Sequence, residues 1–305
     1  MKKVLFAGDI NVDVMMGGLQ SLPVVDKEVM CASYDVVMGS SAVICAAAYA
    51  SLGGSAAFLG LAGQDDYGNF MIEGMNQLGI QTERVRRTDK FRTGVTVNMI
   101  FGNTRTQVTY PGTITEFDGT EIDAQTLSGF DHIHFAGPYQ QTKLRPEITR
   151  ILKLAQAQRM TTSLDPQWDA SEKWEYMDQW LPLLTYLFVN EGEAQSMTKA
   201  ASLEEACKIL QAKTHRAVVK AGKDGSMVCV DGQIHKIAAR SVKVVDTTGA
   251  GDCFDAGFLF GTFEKKLPVQ EALKIGNATG SRSCTFPGGV AHRSTYDDIA
   301  KFLAS

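Results

Sequence analysis

The chain has 305 residues, of which 44% are hydrophobic and 21% are charged, a balance typical of a folded protein and not of a disordered one. Its formal net charge of -4 excludes the basic excess with which proteins bind nucleic acids or anionic membranes. The first apolar run is interrupted at Gly8 and Asp9, and no apolar stretch approaches the roughly 20 residues that span a bilayer. These features predict a soluble protein with neither nucleic acid nor membrane as a partner.

Short apolar segments rich in β-branched residues alternate with helical patterns along most of the chain. Helices are predicted to begin at Ser40 or Ser41 and stop at Gly53, and to cover residues 147–159 and 203–213. This alternation predicts an α/β protein with a mainly parallel sheet covered by helices on both faces. The predicted strands are residues 4–7, 57–61, 132–135, 161–164, 186–189 and 217–219.

Two stretches, residues 12–37 and 92–110, are strand-like and contain no intervening helix. In the second, Gly102 and Asn103 form a hairpin turn signal. We predict one domain over residues 1–305, with these stretches forming a small inserted sheet. The sheet is either a lid that excludes water from a site or a pair of surface hairpins without a function. Its edges also offer a contact for a homodimer.

The cysteines are scattered, with no Cys-x-x-Cys pair and no histidine at zinc-ligand spacing. This pattern predicts buried thiols in a reducing compartment, and hence a cytoplasmic protein. The six positions are Cys31, Cys45, Cys207, Cys229, Cys253 and Cys284.

Residues 244–258 carry the strongest chemical signal, because a strand-like end passes through a small-residue turn into an apolar helical pattern. Such a turn presents backbone N–H groups at the positive end of a helix, where phosphate oxygens bind. A dinucleotide-binding turn would need a glycine where Phe254 stands, and a P-loop would need a Gly-Lys-Ser/Thr run that is missing here. Asp252 follows the turn, either as favourable charge at the helix start or as a reactive group.

The run Asp-Thr-Thr-Gly-Ala-Gly-Asp at residues 246–252, followed by Phe254 and Gly257, resembles the C-terminal signature of the PfkB/ribokinase family of carbohydrate kinases. The resemblance implies a ribokinase-like three-layer α/β/α sandwich with a small inserted β-sheet lid. It also implies transfer of the γ-phosphate of ATP, with Mg²⁺, to a hydroxyl of a sugar or sugar-like molecule. Asp252 would be the general base. The anion hole would be formed by the backbone amides of Gly249, Ala250 and Gly251.

Near the start of the chain, a period of two places Asp9, Asn11 and Asp13 on one face of a strand. In the family, the aspartate matching Asp13 binds substrate hydroxyls. After Met38, ribokinase-like members usually have two glycines with a lysine and an asparagine that help recognise the sugar, and this chain lacks the second glycine, the lysine and the asparagine. The departure favours an acceptor other than ribose. The implied acceptor-binding residues are Asn11, Asp13, Gly39 and Ser40.

Other family elements follow in the expected order and imply a nucleotide side of the site. Glu193 matches a residue that helps position Mg²⁺, largely through water. Asp246 and Thr248 match positions that ligate a monovalent cation in some members, which leaves K⁺ open as a further cofactor. The implied nucleotide-binding residues are Asn190, Glu193, Lys220, Gly222, Gly225 and Asn277.

The resemblance leaves two further readings of function open. The same scaffold accepts ribosides, so the protein is alternatively a nucleoside kinase. A ligand-binding regulatory protein that has lost turnover is the other alternative, although such a protein would not need Asp252 as a base. The sequence leaves the roles of four further residues open. Trp168 and Tyr110 either stack on a sugar or a base or pack in the core. Arg92 and Arg105, in the predicted inserted sheet, either meet a phosphorylated substrate or are solvated at the surface.

Overall fold

The structure, a computed structural model, describes residues 1–21, 23–102, 104–290 and 294–304. Its strands fall into two sheets. In chain order they are β1 (Lys3–Ala7), β2 (Asn11–Gly17), β3 (Ser33–Met38), β4 (Ser55–Gly63), β5 (Gln81–Thr88), β6 (Gly94–Phe101), β7 (Thr104–Tyr110), β8 (His132–Ala136), β9 (Thr161–Asp165), β10 (Tyr186–Asn190), β11 (Ala217–Lys220), β12 (Ser226–Val230) and β13 (Gln233–Ile237).

The helices occupy most of the connections between strands of the large sheet. They are α1 (Ser41–Ser51), α2 (Asp66–Gln77), α3 (Thr113–Glu116), α4 (Ala124–Leu127), α5 (Ile148–Ala157), α6 (Met177–Trp180), α7 (Glu191–Thr198), α8 (Leu203–Lys213), α9 (Ala250–Phe263), α10 (Val269–Ser283) and α11 (Tyr296–Ala304). Helix α1 begins after Ser40, whose hydroxyl accepts the N–H of Val43 and so satisfies one free donor of the first turn.

Within the described residues, the large sheet has nine strands in the order β13-β12-β11-β10-β9-β8-β1-β4-β5. The seven strands from β11 to β5 pair in parallel, and β12 and β13 add to one edge as an antiparallel hairpin. All six strands predicted from the sequence are present in this sheet. The prediction of a mainly parallel sheet is therefore confirmed.

Two apolar cores flank the large sheet, because alternate residues of each buried strand point to opposite faces. Leu5 and Ala7 of β1 lie in the core that α5 and α8 cover. Val4 and Phe6 lie in the other core, against α1, α9 and α10. This arrangement gives the three layers of an α/β/α sandwich.

The small sheet has the strand order β3-β2-β6-β7 and projects from the carboxyl end of β1, which leads through residues 8–10 into β2. Strands β2 and β6 pair in parallel, and the two outer strands pair antiparallel. Strand β6 returns as β7 next to Gly102, but Asn103, the second residue of the predicted turn, lies outside the described residues.

Two sequence expectations are wrong in detail. The segment before Gly249 is not a strand, because the N–H groups of Val245 and Asp246 both donate to the carbonyl of Cys284 at the end of α10. Of the six cysteines, Cys31 and Cys284 are partly exposed and the other four are buried. No helix of the described part of the chain is long and apolar enough to cross a membrane.

Candidate active site

Polar residues collect at the carboxyl edge of the parallel strands. Strand β9 ends at Asp165, β10 at Asn190 and β11 at Lys220, and Asp9 follows β1 by two residues. Asn190 and Lys220 are register partners, as are Ala136 and Asp165. Ligands bind at the carboxyl ends of the strands in open α/β sheets, so this edge of the sheet is a candidate site.

Helix α9 points its N-terminus at this edge. Gly249 caps the helix with a left-handed φ of 72°, and a Cβ there would lie 2.8 Å from Cγ2 of Ile44, so glycine fits where a larger residue would not. The N–H of Ala250 donates to the carbonyl of Thr247, which closes the turn. The turn therefore brings the backbone of Gly249, Ala250 and Gly251 to the positive end of a 14-residue helix.

Asp252 lies in the first turn of α9 and is buried, with 6% of its surface exposed. Its Oδ1 accepts a hydrogen bond of 3.2 Å from Nε2 of Gln167. Burial and the charge of Asp165 raise the pKa of Asp252 to about 8, although the Lys220 ammonium opposes both effects. Such a carboxyl group can exchange a proton near neutral pH.

A buried ionic cluster lies beside Asp252. Nζ of Lys220 is 2.6 Å from Oδ2 of Asp165 and 3.2 Å from Oδ1 of Asp255. Burial alone would lower the pKa of Lys220, but the two carboxyl groups hold it well above its ordinary value. Burial raises the pKa of Asp255 well above its usual range, whereas Lys220 holds that of Asp165 below it despite burial. These directions agree with an ion pair between Lys220 and Asp165, which are the closest pair of the cluster.

Two further acidic residues, Asp9 and Asp13, lie at the base of the small sheet. Oδ1 of Asp13 accepts a 3.2 Å hydrogen bond from Nδ2 of Asn11, and the hydroxyl of Ser40 donates to the backbone carbonyl of Asp9 at 2.7 Å. Burial raises the pKa of both Asp9 and Asp13 to about 6. These are groups that can accept hydrogen bonds from hydroxyls of a ligand.

Asn190 and Glu193 form a capping box at the start of α7. The Asn190 side chain accepts the N–H of Glu193, and the Glu193 carboxylate accepts both the backbone N–H and the Nδ2 of Asn190, at 2.8 and 2.7 Å. Burial raises the pKa of Glu193 to about 7, and the charge of Asp165 adds to the effect. The Glu193 carboxyl group is thus held in one orientation, and a nearby cation would favour its ionised form.

One cavity of about 570 Å³ brings most of the predicted site residues together. It extends from the base of the small sheet, across the turn that starts α9, to the end of β11. The predicted residues that line it are Asn11, Asp13, Ser40, Asn190, Glu193, Lys220, Gly222, Thr248, Gly249, Ala250, Gly251 and Asp252.

Four predicted residues do not line this cavity. A Cβ on Gly39 would lie 2.6 Å from Nδ2 of Asn11, so Gly39 packs against that side chain and does not itself line the cavity. Gly225 packs against the carbonyl of Ile237, and Asn277 donates to the same carbonyl at 2.9 Å, so both stabilise the end of β13. The predicted nucleotide-binding roles of Gly225 and Asn277 stay predictions.

Asp246 is the fourth residue outside the cavity. Its Oδ1 accepts the N–H and hydroxyl of Thr248, and its Oδ2 accepts the N–H of Gly288. Burial raises the pKa of Asp246, but these hydrogen bonds outweigh it and hold the pKa below its ordinary value. Its role as a cation ligand stays a prediction.

The small sheet reaches the site through Arg105. In β7, Nη1 of Arg105 donates to Oγ1 of Thr248 at 2.7 Å, next to the turn that starts α9. Arg92 and Tyr110 lie elsewhere, together around a separate cavity. Trp168 is 48% exposed and packs edge-to-face on Trp174 with ring centroids 5.7 Å apart. Of the four residues without an assigned role, Arg105 alone is among those lining the site cavity.

Sequence reasoning missed part of the site. Asp255 stands three residues after Asp252 on α9, a spacing that places both on one side of a helix. That spacing was the available signal for Asp255, and the position of Asp165 directly after the predicted strand of residues 161–164 was the signal for its partner. Thr96 and Gln107 of the small sheet also line the cavity, and no motif marks them.

The comparisons with known proteins identify the family. The model of the pfkB family carbohydrate kinases matches residues 2–295. The chain belongs to this family. An ATP-dependent ribose-1-phosphate kinase of Halopiger xanaduensis is 30% identical, the match covering 100% of this chain and 99% of that protein. The ribokinase of Bacillus subtilis is 24% identical, with 98% and 99% covered.

A solved structure shows the fold of this pfkB-family chain. A putative ribokinase II from E. coli, in complex with ATP and Mg²⁺, superposes with a TM-score of 0.88 at 19% identity, covering 100% of this chain and 99% of that chain. The ribokinase-like fold expected from the sequence is thereby confirmed. The pfkB-family chain is a phosphotransferase with an alcohol group as acceptor.

Proposed function

We propose that this pfkB-family protein transfers the γ-phosphate of ATP to a hydroxyl of a sugar or sugar-like molecule, with Asp252 as the general base. One observation carries the proposal. The buried carboxyl group of Asp252 stands in the first turn of α9, in the cavity that also holds the carboxyl group of Asp13. A proton acceptor, a helix N-terminus suited to phosphate and a group suited to hydroxyls thus share one space.

The chain's own residues then divide the work of the reaction. Asp252 accepts the proton of the acceptor hydroxyl as that oxygen bonds to the γ-phosphorus and the bond from phosphorus to the β–γ bridging oxygen breaks. The amides of Gly249, Ala250 and Gly251 stabilise the phosphate oxygens, and Asp13 orients the acceptor. ATP supplies the phosphoryl group, and the protonated Asp252 releases its proton to solvent after the ester and ADP have formed.

The residues present fit Mg²⁺ bound with the nucleotide. No group of three or more His, Cys, Asp or Glu suited to a metal occurs within the described ranges. Mg²⁺ needs no such group, because it keeps much of its water and takes one or two carboxylates together with substrate phosphates. Glu193 and Asn190 would hold it through water, and the ion would neutralise phosphate charge.

The small sheet serves as a lid in this proposal, within one domain formed by the whole chain. Thr96, Arg105 and Gln107 of β6 and β7 line the cavity, so its polar side faces the acceptor. A lid of this kind excludes water, which would otherwise compete with the acceptor for the phosphoryl group. A homodimer contact through the lid stays a prediction.

A coupled ADP-release assay with ATP and Mg²⁺ tests the function against a panel of pentoses, hexoses, sugar phosphates and nucleosides. We expect a sugar or sugar phosphate to be strongly preferred. Preference for a nucleoside would support the nucleoside-kinase alternative. Binding of ATP and a sugar without ADP release from any acceptor would favour the regulatory protein and contradict the proposal.

Replacing Asp13 by Ala is expected to raise the KM for the acceptor by about 10- to 100-fold, because hydrogen bonds to a charged group are lost. The KM for ATP should change little. Steady-state kinetics with each substrate varied in turn measures both. Asp35→Ala is the matched control, since Asp35 lies on β3 of the same sheet but does not line the site cavity. An unchanged acceptor KM in Asp13→Ala would remove Asp13 from the acceptor site.

A phosphorylated sugar is a second candidate for the acceptor, and Arg105 is the observation that favours it. Its guanidinium lines the cavity near Asp13 and contacts Thr248 through Nη1. A guanidinium presents five N–H donors in a fork that suits phosphate. The similar Halopiger protein is named as a ribose-1-phosphate kinase, which agrees with such an acceptor.

Replacing Arg105 by Ala should lower kcat/KM for sugar phosphates about 10- to 100-fold relative to the corresponding unphosphorylated sugars. The ratio of the two kcat/KM values is the measurement, because it cancels any effect of the lost Thr248 contact on turnover. Arg92→Ala is the control, since Arg92 belongs to the same sequence stretch but lies around a different cavity. An unchanged ratio would contradict a phosphate-binding role for Arg105.

A further inference from the structure

Gln167 makes a directed contact with the carboxyl group of Asp252. Its Nε2 donates to Oδ1 of Asp252 at 3.2 Å. The backbone of Gln167 is in the left-handed region, with φ of 56°, an uncommon conformation for a residue other than glycine. Its N–H donates to Oδ1 of Asp165 at 3.0 Å. The backbone conformation and this hydrogen bond therefore orient the Gln167 side-chain amide toward Asp252.

Asp165 is in turn fixed by Lys220. Its other oxygen, Oδ2, lies 2.6 Å from Nζ of Lys220, and both oxygens of Asp255 lie 3.2 and 3.3 Å from the same Nζ. The side chains of Asp165 and Asp255 are 3% and 0% exposed. A Cβ on Gly251 would stand 3.2 Å from Nζ, so the ammonium packs directly against the turn that starts α9.

We propose that Gln167 and Lys220 are positioning residues for the phosphoryl transfer. Gln167 holds the Asp252 carboxyl group by one oxygen, which leaves the other for the acceptor hydroxyl, and Lys220 fixes the Gln167 loop through Asp165. The inference rests on the proposed role of Asp252 as the base. It replaces the expectation that Lys220 binds nucleotide, because the ammonium is engaged by two buried carboxyl groups.

The charges around Asp252 explain why this support matters. The charges of Asp165 of β9 and Asp9 after β1 disfavour its ionised form, and Lys220 of β11 favours it. Asp255 of α9 also lies near it. The thiols of Cys45 on α1 and Cys253 on α9 also lie near it, and the hydroxyl of Ser41 favours its ionised form. In such surroundings an amide that donates to the carboxylate makes the ionised form easier to reach.

The main experiment compares Gln167→Leu with Gln167→Asn. In Gln167→Leu we expect kcat to fall about 10- to 100-fold and the acid limb of the kcat/KM profile to move to higher pH, with the KM for ATP unchanged. Gln167→Asn keeps an amide and tolerates positive φ, so it should recover part of the rate and of the pH profile. Gln125→Leu, on the exposed surface of α4, controls for the loss of an amide.

A merely structural Gln167 would lower thermal stability in both variants and leave the pH profile where it is in the wild type. A wild-type rate and profile in Gln167→Leu would overturn the proposal for Gln167. These results are distinct from failure of the proposed function itself, which a wild-type protein that phosphorylates no acceptor would show.

Lys220 is tested by Lys220→Arg and Lys220→Met. We expect Lys220→Met to lower kcat and to shift the acid limb upward, because a positive charge near Asp252 is lost, while Lys220→Arg keeps the charge and most of the activity. If Lys220→Met does not fold, the rate and profile of Lys220→Arg decide the matter. A raised KM for ATP with an unchanged kcat and profile, in whichever of the two variants folds, would return Lys220 to nucleotide binding and overturn its positioning role.

Discussion

Asp252→Asn should lose about two to four orders of magnitude in kcat, the range typical of a removed general base. Asn has nearly the same shape but does not take up a proton, so the KM values for ATP and acceptor should change little. The fold should not suffer, since the substitution removes a carboxyl group whose ionised form is disfavoured by burial. Steady-state kinetics and a thermal melt measure these three quantities together.

The pH dependence of kcat/KM provides a second test with the same variant. Burial raises the pKa of Asp252 to about 8, and a base must be deprotonated to act. In the wild type, kcat/KM should therefore rise with pH up to about pH 8 and then level off. Asp252→Asn should lose this limb. Asp178→Asn, at a highly exposed position, is the control. A near wild-type rate in Asp252→Asn would remove Asp252 from the mechanism.

The large sheet was predictable to the extent that its strands are buried on both faces. Strands β1, β4, β8, β9, β10 and β11 read as apolar runs, and the predicted segments fall within them. Strand β5 was missed because its sequence, Gln81–Thr88, is polar and lies at the sheet edge. The edge hairpin of β12 and β13 was missed as well, and β13 is partly exposed along its length. Edge strands need fewer apolar residues, so their sequence signal is weak.

For the site, a feature could be predicted where neighbouring residues determine it, and could not where it depends on residues far apart in the sequence. The turn at Gly249 was visible because a run of small residues before a helix determines its own backbone conformation. The cluster of Lys220, Asp165 and Asp255 was not, since its members are 55 and 35 residues apart and meet through the pairing of β9, β10 and β11. Ion pairs of this kind depend on sheet order, which periodicity does not give.

Gly249→Ala should lower kcat by about 10²- to 10³-fold, an effect comparable to the loss of one preorganised hydrogen-bond donor. Its φ of 72° is unfavourable for any residue with a Cβ. The added Cβ would also stand 2.8 Å from Cγ2 of Ile44 and 3.2 Å from Cα of Gly289. Since Ile44 is buried in α1, the turn must move, and the amides move with it.

Gly79→Ala separates the two causes. Gly79 has a φ of 76°, and a Cβ there would meet nothing within 4 Å. Both variants should therefore lose about 1–2 kcal/mol of stability from the left-handed backbone, but Gly79→Ala should keep wild-type turnover. Comparison of kcat and thermal stability for the pair distinguishes strain in general from displacement of the anion-binding turn. Equal turnover in both variants would mean that the position of the Gly249 turn does not control phosphoryl transfer.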